Sequence, residues 1–233
     1  MNSSPSSATS TASLRAAGIV LIAAAVLEVL AMAHHPSVRV RDPAQGVAAL
    51  QAVGAVSAWV HGILIALMIA GLNALLEFSL WRGLTRPIMR VAMTTYAIGV
   101  FAMIGAASIS GFVTPLCASL APSDAAGLRT VVQILQLCGV LNRAMAEVGT
   151  LAISAAMFAW SVDLLRRDRP TLVGRLTGLL GIFTGVLAPT AILAGIVHFD
   201  VQGMTLLVML QSLWSVGVGL TLVKARPVSP TPG

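Results

Sequence analysis

The sequence predicts an all-α fold: a polytopic membrane bundle of six transmembrane helices, N-in and C-in, with helices two and four extended on the outer side. Three observations carry this. Only 9% of the 233 residues are charged and 57% are hydrophobic, whereas a soluble domain carries about 25% charged residues. With a mean hydropathy of +0.92, lipid must be the solvent for much of the chain. The apolar residues fall into six runs, and the cationic residues sit in short clusters between them, mostly on one side.

Residues 1–13 are rich in Ser and Thr, without apolar period, and read as a disordered tail. The six runs cover residues 14–34, 55–80, 88–112, 144–165, 172–198 and 204–223. Each reaches the roughly 20 residues a spanning helix needs. Backbone groups in lipid must be satisfied internally, and the alternation of a barrel strand is missing, so the runs are helices. The transmembrane domain is thus 14–224, followed by a proline-rich tail at 225–233.

The first run ends in Ala31-Met32-Ala33-His34, the small-residue pattern read by signal peptidase. The run is longer than the about 7–15 apolar residues of a signal core, and it is kept as an uncleaved span. Before the second run, Asp42-Pro43 reads as an N-cap followed by proline at the first helical position. Ser123 or Asp124 caps the fourth helix in the same way. Each helix then has about 40 residues, or roughly 60 Å, against a hydrocarbon core of about 30 Å. Both should project on the outer side, or break at Gly54 and Gly139. In the fifth run Gly174, Gly178, Gly181 and Gly185 strip one face for close packing, and Pro189 should kink the helix.

Direction follows from the cations. Arg15, Arg82, Arg86, Arg90, Arg166, Arg167, Arg169, Arg175, Lys224 and Arg226 fall on one side, and Arg39, Arg41 and Arg129 on the other. The positive-inside rule makes the first side cytoplasmic. Charges clustered between apolar runs also argue against nucleic acid as a partner of the net +6 chain. Trp59, Trp81 and Trp160 fall near run boundaries, as interfacial aromatics do. Glu77 is expected to pair with the nearby arginines, Arg82 above all. A weak internal repeat aligns Asp42, Gln51 and His61 with Asp124, Gln133 and Arg143.

This topology sets His34, His35, His61 and His198 on the outer side, where converging imidazoles would be metal or haem ligands. The fourth helix carries a polar stripe of Arg129, Gln133, Gln136, Arg143 and Glu147, continued by Thr150 and Ser154. Such a stripe is expected to face the bundle interior or a wet cavity. Glu28, two turns before His35, needs a partner or a proton, and Arg143 is the match by depth. Glu28, His61, Arg143 and Glu147 are therefore the expected ligand-binding set. His34, His35, His61 and His198 are the metal candidates, although their spacing matches no metal motif. Cys117, expected in a loop, and Cys138 are the candidates for a disulfide, which would contribute about 3 kcal/mol.

His34-His35-Pro36, Val60-His61-Gly62, Ser110-Gly111-Phe112-Val113-Thr114-Pro115 and Asp200-Val201-Gln202-Gly203-Met204 occur together. In these stretches the chain resembles uncharacterised small multi-helix inner-membrane proteins of proteobacteria, of the domain-of-unknown-function type. The resemblance covers residues 14–224. It implies a bacterial inner-membrane location and brings no activity. The function expected is binding of a small solute, ion or metal in an outward-facing polar cavity, without enzymatic chemistry. The rival expectations are a structural or homo-oligomeric partner subunit of a membrane complex, a haem or metal oxidoreductase, and a transporter.

Overall fold

The computed structural model describes residues 10–36, 42–122, 124–166, 171–196 and 201–225. Among them every regular element is helical, and six stretches are long and apolar enough to cross a membrane. Arg39, Arg41, Ser123, Arg167, Arg169, His198, Asp200 and Arg226 fall outside the described residues.

α1 (Thr11–Ala33) starts earlier than residue 14 because the Ser10 hydroxyl caps it, accepting from the Ser13 amide at 3.1 Å. α2 (Pro43–Arg82) is unbroken through Gly54 and has 40 residues. Its Asp42 cap accepts from the Gln45 amide at 2.8 Å, and it stops at Gly83, whose φ of +93° favours glycine. α3 (Pro87–Ser108) passes into a π-helical turn, Ile109–Val113, and then α4 (Thr114–Ser119). Pro115 cannot donate to residue 111 and its ring crowds that carbonyl, so the helix widens just before it. Cys117 accordingly lies on a helix, not in a loop. α5 (Ala125–Leu165), the fourth of the expected spans, has 41 residues and runs through Gly139 without a break. α6 (Leu172–Leu193) ends before residue 198, with Gly195 at φ +68° just beyond it. α7 is Val201–Val223. After it, Ala225, expected in the loose tail, packs into the core.

The helices close a ring. α1 packs on α2, α2 on α3, α3 on α5, α5 on α6, α6 on α7, and α7 back on α1. One end of the ring carries Arg82, Arg86 and Arg166 (the arginine end); the other carries His34, His35 and His61 (the histidine end). The first turns of α2 and α5 run on past the ring at the histidine end. They are held there with α4 through Val47, Ala118 and Val131, and by the Gln51 amide donating to the Ala118 carbonyl at 2.7 Å.

The arginine end is filled. Phe78, Met89, Trp160, Trp214 and Leu222 form its centre, all buried. Trp160 and Trp214 stack at 5.7 Å. Their indoles donate to the Ser79 and Ser161 hydroxyls at 3.1 and 3.0 Å. Trp160 is therefore a core residue and not an interfacial anchor, whereas Trp59 is 75% exposed. The glycine face of α6 meets α5: a Cβ on Gly181 would strike the Ser161 hydroxyl and the Trp214 indole, and one on Gly185 would lie 2.9 Å from the Ser154 carbonyl.

Asp163 ties this end together. Its carboxylate accepts from Arg82 Nε at 2.7 Å and also from Arg82 Nη2, and Arg86 Nη2 lies 2.6 Å from its other oxygen. The Arg82 and Asp163 side chains are both buried. Arg82 is thereby drawn away from Glu77, which instead accepts from the Ser13 hydroxyl at 3.1 Å. Removing one member of a buried ion pair costs about 3–5 kcal/mol, because the other charge is stranded. Asp163→Ala should therefore lower the melting temperature in detergent sharply, and adding Arg82→Leu should recover much of the loss. An unchanged melt in Asp163→Ala would show that the pair does not hold the bundle.

The cap of α5 makes a pH prediction. Amides of Gly127 and Ala126 donate to Asp124 at 2.9 and 3.1 Å and hold its carboxyl below the ordinary carboxylate range. A lowered pKa means the cap contributes fully above the ordinary carboxylate pKa and is lost as pH falls through the lowered value. Protection of the Ala126 and Gly127 amides from hydrogen exchange should fall across that acid window in the native chain. Asp124→Asn should remove the dependence.

Candidate functional site

Above the tryptophan stack the ring is not filled. A cavity of about 450 Å³ lies between α1, α2, α3, α5 and α7. It extends from Pro36 and Val201 at the histidine end down to Ile153 and Gln211. Most of its wall is apolar, with methionines from three helices and from the end of α1. Its polar groups gather at two levels.

The upper level is an imidazole pair. His35, just past the end of α1, and His61, on α2, face each other with Nε2 atoms 3.2 Å apart and rings edge to face. His61 is 5% exposed. Its Nδ1 lies 2.8 Å from the Ser57 carbonyl one turn earlier, and a carbonyl only accepts, so Nδ1 carries the proton. Neutral His61 then presents a bare Nε2 lone pair to His35. The Ser57 hydroxyl donates onward to the Ser110 carbonyl of the π turn at 3.3 Å. His35 Nδ1 is buried and has no hydrogen-bond partner of ordinary geometry among the described residues. Burial lowers the His35 pKa, with the Pro36 carbonyl opposing, so this imidazole favours its neutral form. The π turn makes room for the pair: a Cβ on Gly111 would strike the His61 side chain, with Cγ at 2.8 Å.

The lower level is Glu28 with Tyr96 and Gln211. Among the described residues no arginine, lysine or histidine forms an ion pair with Glu28. A carboxylate in an apolar surrounding is costly unless a proton or a cation joins it.

The structure thus brings Glu28, His61 and His35 to one cavity and leaves other expected residues outside it. Arg143 and Glu147 pair with each other at 2.8 Å, with Arg143 exposed; neither lines the cavity, and Asn142 does so from the same helix. Arg129, Gln133 and Gln136 are likewise exposed, while Thr150 and Ser154 are buried. α6 is the reason. It covers α5 at Ser161 and Ser154 but ends at Leu193, and at that pitch Arg143 stands above its last turn. His34 is exposed and turns back on its own helix, Nδ1 to the Leu30 carbonyl at 2.9 Å. His198 is outside the described residues. Cys117 and Cys138 are free thiols, Cys138 buried.

Two axial imidazoles on one haem iron stand about 4 Å apart, at about 2 Å per bond. At 3.2 Å, His35 and His61 do not fit such a pair. Tyr96 and Gln211 were not singled out from sequence. The signal was present: each is a polar side chain in the middle of an apolar run, and Tyr96 is the only tyrosine. No protein-family model, curated protein or solved structure matches this chain.

Gly111 supplies a direct test of the pair. Gly111→Val should displace the His61 imidazole and shift its ¹⁵N resonances. Gly139→Ala, where an added Cβ meets nothing within 4 Å, should leave them in place and change stability by no more than about 1 kcal/mol.

Proposed function

We propose that this chain is a non-enzymatic multi-pass protein of a bacterial inner membrane, with both termini cytoplasmic, that binds a small cation in its ring cavity. The single observation that carries this is Glu28, a carboxyl on the wall of a largely apolar cavity without a basic partner among the described residues. A cavity of about 450 Å³ is in the range that takes a small molecule, about 300–1,000 Å³. Apolar walls with a few convergent polar groups suit a small organic ammonium ion, whose charge meets Glu28 while its alkyl groups meet Leu64, Val100 and Val208. The excess of arginine and lysine at the opposite end favours access from the outer side. The packed tryptophans beneath the cavity favour a one-sided binding site over a through passage.

Ligand that binds only the folded state raises its melting temperature. The purified protein in detergent should therefore show a saturable upward shift with at least one of methylammonium, trimethylammonium and choline. Glu28→Gln, which keeps the side-chain shape and removes the charge, should lose most of it. Equal shifts in the two proteins, or none in either, would overturn the reading.

A further inference from the structure

The imidazole pair is not used by the Glu28 reading, and its geometry raises a separate question. Nδ1 of His61 is committed to the Ser57 carbonyl, so its Nε2 offers a lone pair. The facing Nε2 of His35 lies 3.2 Å away. Two nitrogens bound to one tetrahedral ion at about 2.0 Å each lie about 3.3 Å apart. The contact is a hydrogen bond from His35 Nε2–H to the His61 lone pair. An ion that displaced this proton, which His35 Nδ1 can carry instead, would find two nitrogens at the separation of two ligands. The carbonyl behind His61 is the usual orienting partner of a metal-bound histidine.

The remaining donors select the ion. No third His, Cys, Asp or Glu joins the pair among the described residues, which leaves hard divalent ions short of ligands. Thioethers are what the cavity offers: Met32, Met68, Met103 and Met204 all line it. Met32 is buried and lies three residues before His35. Met204 is at the histidine end by topology, near the start of α7. Imidazole with thioether is a donor set that selects copper(I).

We infer that His35 and His61, with Met32 or Met204 as the sulfur donor, form a copper(I) site at the mouth of the cavity. The inference goes beyond the reading of Glu28 as a cation site and stands on its own donor set.

The test uses the full chain in detergent, stripped of metal and loaded anaerobically with copper(I) in competition with bicinchoninate. Cys117 and Cys138 are a rival copper(I) site, so both are changed to serine throughout. One equivalent of copper should be retained in that background. His35→Ala and His61→Ala should each weaken retention by about 100-fold, and Met32→Leu or Met204→Leu by about 10-fold. Copper-edge X-ray absorption of the histidine-intact protein should show two nitrogens and at least one sulfur, a result that does not depend on any histidine variant folding. Copper lost with the cysteines, retained without both histidines, or bound without sulfur would overturn the site. An ammonium shift without copper uptake would sink this site alone. Copper uptake with the nitrogen and sulfur signature but no ammonium shift would support it and count against the Glu28 reading.

Discussion

The fold hangs on a buried carboxylate. Taking Asp163 and Arg82 out of water costs several kcal/mol per ion, offset only while both keep their geometry. That geometry joins three places at once: the last turn of α2, the turn after Gly83 that brings in Arg86, and the lower third of α5. Once α5 is held against α2 there, the next turn follows. Trp160 comes to Phe78 and Ser79, and Ser161 comes to the Trp214 indole of α7. A slip of one turn, about 5.4 Å, would strand the charges and both indole N–H groups together. The same register, carried upward, brings Asn142, Ala146 and Ile153 to the cavity wall.

Glycines set how closely the other helices follow. Apolar side chains gain little by leaving lipid for a helix surface, so close backbone approach and packing must hold the ring. A Cβ on Gly18 would lie 2.6 Å from the Gly219 carbonyl, joining α1 to α7, and Gly99 and Gly149 stand in the same relation between α3 and α5, at 3.0 Å. These are two tight seams on opposite sides of the ring. On the α2 side between them the wall is built from longer side chains, His61, Leu64 and Met68, and the methionines that line the cavity have flexible thioethers that fill space loosely. The cavity is what that change of residue size leaves.

Much of this was legible in the chain itself. Run length and charge clustering gave six helices, and Asp42 and Asp124 marked the starts of the two long ones because a carboxylate before a helix has one evident use. Glu28 and His61 were legible because polar groups at that depth need a reason. Arg143 and Glu147 were placed inward from their spacing alone. Spacing puts residues on one face of a helix but does not say where the neighbouring helix ends, and α6 ends just below them. Asp163 was missed for a related reason. No spacing in the sequence marks it, because only the fold brings the α2–α3 turn over it. The imidazole pair depends on how α1 ends at His34, a matter of one peptide's direction that no apolar period encodes.

The π turn at Ile109–Val113 has a consequence for shortening the chain. A π turn is an α-helix with one residue too many. Deleting one residue here would close the turn to α-helical register between Pro87 and Ser119, with Pro115 still kinking it. It would also rotate everything beyond the turn by about 100° and pull it back by about 1.5 Å. Ala118 would leave Gln51, and Gly111 would no longer lie against His61. A chain without the extra residue would keep six spans and their charges while lacking the place where two imidazoles meet.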